Sequence, residues 1–262
     1  MENILKIDPE KVETFLVDFI INAFTSSNFN IAIIGISGGV DSAVVASLCK
    51  KSLGKKNTYG IILPYKNTTK TNLDHAYHVC KTLDIKYLKF DITPQIDSYF
   101  KNFPQANNIR RGNKISRERM SILYDLSAHF SGLVVGTSNK SEIYLGYGTL
   151  YGDLACAINP LGDLYKTQVY QLAEYLDIPK EIRDKKPSAD LWPGQTDEEE
   201  LGFTYEEADK VLYYYIDEKM EPSEIIKNKK INEGIVKKVI ERIKNSEFKR
   251  RLPLIPKLPS KF

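Results

Sequence analysis

Apolar residues recur at helical spacing between residues 10 and 25, where Val12, Phe15, Leu16, Phe19, Ile20 and Ala23 share one helix face. The period then changes. Residues 31–36 form a short, nearly unbroken apolar run, the pattern of a parallel strand covered on both faces. The alternation continues with a helix over 41–53, a strand over 58–63, a helix over 72–83 and a strand over 85–90. A longer helix is predicted over 114–130 and a strand over 132–136. After about residue 160 the strands stop, and residues 165–176, 205–217 and 232–245 read as helices. This order predicts an α/β fold, a parallel sheet flanked by helices on both faces, with a helical C-terminal part, all in one domain. Ligands of such sheets bind beyond the carboxyl ends of the strands, so chemistry is expected in the loops after Ile36, Leu63 and Val135. Residues 185–201 are rich in Pro, Gly and charge. They read as a mobile loop reaching to about residue 203, long enough to serve as a lid.

Composition narrows the function. Of 262 residues, 42% are hydrophobic and 27% charged, which suits a soluble globular chain with a sizeable core. The net charge of +3 is too small to indicate a nucleic-acid or membrane partner. The N-terminus lacks the apolar centre of a signal peptide, and no run approaches the roughly 18 apolar residues of a membrane span. Cys49, Cys80 and Cys156 lie far apart without CxxC spacing, as expected of reduced thiols in a cytoplasmic protein.

The strongest chemical signal follows the first strand. Gly35–Ile36 runs into Ser37–Gly38–Gly39–Val40–Asp41–Ser42, which opens the next helix. Two glycines let successive backbone N–H groups turn toward an anion, and the helix N-terminus adds its positive end. Ser37 and Ser42 add hydroxyls. Asp41 suits such a site when Mg²⁺ bridges it to phosphate. A tight turn with Asp41 as helix cap is the plain alternative. The segment is neither GxxxxGK[ST] nor GxGxxG.

The hexapeptide resembles the SGGxDS pyrophosphate loop of the ATP pyrophosphatase families, which transfer AMP to an acceptor with loss of pyrophosphate. Ala43 stands where many members carry Ser or Thr. Later motifs resemble, in order, those of the ammonia-dependent NAD synthetases, over roughly residues 30–253. Gly136–Thr137–Ser138–Asn139–Lys140–Ser141–Glu142 is similar to a segment whose Thr approaches ATP and whose Glu binds Mg²⁺, which implies Thr137 and Glu142. Gly146 to Asp153 resembles GYFTKYGD and implies that Asp153 deprotonates the ammonia nucleophile. Leu164 to Gln168 resembles a motif that carries a phosphate-binding lysine, which implies Lys166. Residues 186–191 resemble KxPTADL, with Ser188 against ATP, and residues 195–202 resemble the Q-[ST]-D-E…LG stretch. Arg117, in a segment similar to GNxxARxRM, and Phe248 and Lys249, in one similar to HKRxxP, fall at positions that hold the dinucleotide. Two positions depart from the pattern: Leu150 replaces the usual Lys, and Ala157 replaces an Asp. Both normally touch the dinucleotide.

The resemblance implies an adenine nucleotide alpha hydrolase-like fold, ATP as co-substrate at residues 35–42, Leu63, Thr137, Lys166 and Ser188, and Mg²⁺ on Asp41 and Glu142. It implies amidation of deamido-NAD through an acyl-adenylate, in a homodimer. With no room for a glutaminase region before residue 30, free ammonia is the expected nitrogen donor unless a separate glutaminase subunit supplies it. Two other readings stand beside this one. One is a related amidating or thiolating enzyme, of which the thiolating kind usually carries cysteine pairs or basic extensions, and the other is a non-catalytic nucleotide sensor, which would account for Leu150 and Ala157. His75 and His78 have helical spacing but no third ligand in view. His129 caps a helix end, Tyr213 to Tyr215 read as packing, and Trp192 sits where it could cover a nucleotide.

Overall fold

Asp8 opens the first helix, accepting the Lys11 N–H at 3.3 Å, and Pro9 fills the first helical position. In the computed structural model, which describes residues 4–192 and 194–259, the chain then alternates. After α1 (Pro9–Ser26) come β1 (Ala32–Gly35), α2 (Val40–Leu53), β2 (Thr58–Ile62), α3 (Lys70–Thr82), β3 (Lys86–Lys89), α4 (Thr93–Phe100), α5 (Asn108–Phe130) and β4 (Leu133–Val135). All strand pairs are parallel, in the order β3-β2-β1-β4. The chain steps outward from β1 to β3, then returns to lay β4 on the other side of β1. The loops after β1 and β4 therefore open side by side at the carboxyl edge, the switch point where such sheets bind ligands.

Adjacent strand residues feed opposite faces. Ala32, Ile34 and Ile62 pack with Leu16, Ile20, Phe24, Val44 and Leu48 from α1 and α2. Ile33 and Ile61 pack with Ile96, Ile115 and Leu126 from α4 and α5. Both faces are covered, which is why these strands read as continuous apolar runs.

The remainder is helical: α6 (Lys140–Leu145), α7 (Lys166–Tyr175), α8 (Lys180–Arg183), α9 (Asp197–Leu201), α10 (Tyr205–Leu212), α11 (Pro222–Lys229) and α12 (Glu233–Asn245). Val236, Val239, Ile240 and Ile243 form the buried stripe of α12 and meet Val211, Leu212, Ile225 and Leu145 in a further core. Helix α7 also packs on α2, which ties this part to the sheet.

Several boundaries differ from the periodicity reading. Helix α5 starts at Asn108, because the Asn107 side chain accepts the Arg110 N–H at 3.0 Å, so residues 110–113 are helical. Helices α4, α6 and α11, eight residues or fewer, are too short to display a period. The expected loop at 185–203 ends in α9, while Pro193 within it lies outside the described residues. Among the described residues, no helix is long and apolar enough to cross a membrane.

Candidate active site

Gly38 has φ +80°, and a Cβ there would run into the Asn72 carbonyl oxygen on α3. Only glycine lets the turn pass this close. The Ser42 hydroxyl donates to Gly39 O at 3.0 Å and lies 3.2 Å from Ser37 Oγ, closing the loop on itself. Gly39 occupies the N-cap of α2 and offers no side-chain cap. The first amides of a fourteen-residue helix thus have no intrahelical partner and face outward, as an anion site requires.

Beside this loop, three distant parts of the chain bring charge together. Lys166, 3% exposed, donates from Nζ to Asp41 Oδ2 at 2.5 Å and to Glu142 Oε1 at 3.2 Å. Asn139 orients both carboxylates: its Nδ2 donates to Asp41 Oδ1 at 3.0 Å, and it forms a capping box with Glu142 at the start of α6. Burial works against the Lys166 ammonium, yet Asp41 and Glu142 outweigh it and hold its pKa well above the usual value. Burial pushes Glu142 up to about 8, with Lys166 opposing and Asp41 and Asp197 adding to the rise. These two directions are compatible because one ammonium balances one carboxylate, and the closer Asp41 takes it. Asp197, also raised by burial, keeps a buried Oδ1 without a hydrogen-bond partner among the described residues.

A fully buried carboxylate supports this cluster from behind. Asp209 on α10 accepts Ser141 Oγ at 2.5 Å, Thr167 N at 2.9 Å and Thr167 Oγ1 at 2.8 Å. The Lys166 N–H in turn donates to Ser141 Oγ at 2.9 Å. Asp209 therefore grips the residues next to Glu142 and next to Lys166.

A cleft of about 530 Å³ joins these parts. Gly35, Ile36, Ser37, Gly39, Val40, Asp41 and Ser42 line it, as do Leu63, Thr137, Asp153, Lys166, Ser188 and Lys249. Asp153 Oδ1 accepts Ser116 Oγ at 2.5 Å and Thr149 N at 3.0 Å. Lys249 Nζ donates to the Gly146 and Gly148 carbonyls at 2.8 Å each. Trp192 lines the same cleft, against Gly112. Gly38, Arg117, Leu150, Ala157 and Phe248 lie outside the lining. Arg117 is exposed and donates from Nε to Leu150 O at 3.2 Å, and Phe248 is 53% exposed. His78 faces Glu181 at 3.5 Å, away from any ligand set.

The matched family is described as NAD synthase, and its profile covers residues 12–253. The NH(3)-dependent NAD(+) synthetase of Fusobacterium nucleatum is 49% identical over 98% of this chain and 99% of its own. The chain belongs to the NAD synthase family. Two solved structures are similar at 34% identity. An NMN synthetase from Francisella tularensis superposes with a TM-score of 0.86, covering 97% of this chain and all of its own. An NH3-dependent NAD synthetase from Campylobacter jejuni, in complex with nitrate, gives 0.82, covering 96% of this chain and all of its own. The fold is that of the NAD synthetases, adenine nucleotide alpha hydrolase-like, as the sequence implied.

In this member of the family, the donor set fits magnesium in one way. Among the described residues, no group of three His, Cys, Asp or Glu side chains is arranged to hold a metal. Two hard carboxylates, Asp41 and Glu142, do converge beside the anion loop, which suits an ion that completes its shell with phosphate oxygens and water. Sequence reasoning missed Asn139, Asp197 and Asp209 as parts of the site. Asn139 stood inside a quoted motif, but Asp209 had no local signal, because its role exists only where α10 meets α6 and α7.

Proposed function

We propose that the protein amidates the nicotinate carboxylate of deamido-NAD with ammonia, consuming ATP and releasing AMP and pyrophosphate. One observation carries this reading: the uncapped amides after Ser37, the carboxylates of Asp41 and Glu142, and Asp153 face one cleft in a member of the NAD synthase family. A free carboxylate is a poor electrophile. Its oxygen attacks the α-phosphorus of ATP, and pyrophosphate leaves with the P–O electron pair. Ammonia then attacks the resulting mixed anhydride, and AMP departs with the C–O pair. In this scheme the loop 35–42, Leu63, Thr137 and Ser188 hold ATP, and Lys166 balances charge on the departing pyrophosphate. Asp153 takes a proton from ammonium before attack. Arg117 and Lys249 hold the acceptor, with Phe248, Leu150 and Ala157 at the periphery. Asp41 and Glu142 would hold magnesium, which would screen the charge of the phosphates. Each chain forms one catalytic domain of a cytoplasmic homodimer, with the loop at 185–203 closing over ATP. Incubation with ATP, Mg²⁺, deamido-NAD and ammonium tests the reading. It requires AMP and NAD in equal amounts; ADP, or binding without turnover, contradicts it.

A second reading concerns the acceptor alone. Leu150 and Ala157 offer no polar side chain where the family pattern has Lys and Asp, both lie outside the cleft lining, and one similar structure is an NMN synthetase. On that reading the acceptor is nicotinic acid mononucleotide. Comparing kcat/KM for the two acceptors decides between them.

A further inference from the structure

Arg119 sits two residues beyond Arg117 on α5, a spacing that turns the two side chains to different sides of the helix. Arg117 faces outward, whereas Arg119 lines the cleft. Its Nε–H donates to Leu63 O at 3.1 Å, at the carboxyl end of β2, and no second partner exists for it among the described residues. Arg250 behaves differently: both of its terminal nitrogens are used, Nη1 by the Tyr144 carbonyl and Ser246 Oγ and Nη2 by the Ile243 carbonyl. A guanidinium carries five N–H donors and keeps its charge in proteins, so Arg119 presents an open two-pronged fork to the cleft.

The charge balance points the same way. Lys166 is already matched by carboxylates, whereas Arg119 forms no ion pair among the described residues. Burial lowers its pKa, and Asp190 and Asp153 oppose that only through space. Arg119 is partly buried, and a partly buried cation without an ion pair gains from an incoming oxyanion. Ser116, one turn before Arg119 on the same face of α5, donates to Asp153, the group assigned above to the ammonia step, so the fork lies on that side of the cleft. We infer that Arg119 is an oxyanion receptor at the reacting centre, gripping the acceptor carboxylate or the α-phosphate it attacks with paired N–H bonds. This rests on the proposed amidation reading.

Titration calorimetry on wild type, Arg119→Met and Arg119→Lys tests it, with deamido-NAD, NAD and ATP as separate ligands. A carboxylate receptor requires deamido-NAD affinity to fall at least about tenfold in Arg119→Met while NAD, its amide, stays within about twofold. A phosphate receptor instead requires the tenfold loss with ATP and none with adenosine. Arg119→Lys keeps the charge without the fork and falls between wild type and Arg119→Met. If wild type turns over and both variants, folded by their melting curves, bind every ligand within twofold, the amidation reading stands and this inference falls. If Arg119→Met does not fold, Arg119→Lys decides alone, and wild-type affinity in it contradicts the inference. A wild type that neither binds nor amidates deamido-NAD ends both.

Discussion

Lys166 Nζ stands 2.5 Å from Asp41 Oδ2, joining residues 125 positions apart in the chain. The ammonium also reaches Glu142, so it lies between the two carboxylates proposed to hold magnesium. In the free protein a lysine thus occupies part of the space a divalent cation would use. Metal and lysine share the same negative charge until a triphosphate brings more.

Replacing Lys166 by Met separates those roles. Turnover falls about 100-fold or more, because charge on the leaving pyrophosphate loses its cation. Mg²⁺ alone, without nucleotide, binds the variant at least about tenfold more tightly, since Asp41 is then unopposed. Titration with MgCl₂ checks this, and an unchanged affinity would show that the ammonium does not compete with the metal.

Glu142 gives a pH dependence. Its folded pKa, about 8, lies above the ordinary carboxyl value of 4.5, so the folded protein holds a proton that the unfolded chain has lost. That contribution to stability is present at low pH and disappears as pH rises through about 8. A protonated carboxyl cannot ligate a metal, so Mg·ATP binding releases up to one proton. Affinity should climb by at most about tenfold per pH unit toward pH 8 and then level. Glu142→Gln flattens that profile.

Asp209 is expected to matter for stability as well as geometry. Asp209→Asn leaves one acceptor oxygen for three donors, two from Thr167 and one from Ser141. The cost is about 1–3 kcal/mol, read from urea unfolding midpoints. A variant as stable as wild type would mean that the buried carboxylate is not anchoring α6 and α7.

Gly38→Ala addresses the anion loop. A side chain at φ +80° costs about 1–2 kcal/mol before its clash with Asn72 O is counted. The loop must move, and ATP affinity should fall at least about tenfold by direct titration.

Much of this was legible in the chain because its signals are local. The apolar runs at 31–36 and 58–63 became β1 and β2 because both sheet faces are covered, and the glycine pair marked the turn after β1. Asp41, Glu142 and Lys166 were named separately from their motifs, and the structure brings them onto one ammonium. What stayed hidden depends on long-range meeting. Asp209 reads as one more acidic residue on an amphipathic helix until α10 docks, and Arg119 looks equivalent to Arg117 until α5 turns one inward and one outward. Helices such as α4 and α11 were missed because eight residues hold barely two turns.

In the proposed reaction the acceptor carboxylate is activated by AMP transfer. Deamido-NAD carrying heavy oxygen in its nicotinate carboxylate, turned over with ATP, Mg²⁺ and ammonium, tests this by mass spectrometry of the products. The account requires one labelled oxygen in AMP and none in pyrophosphate. Label in inorganic phosphate alongside ADP would contradict it.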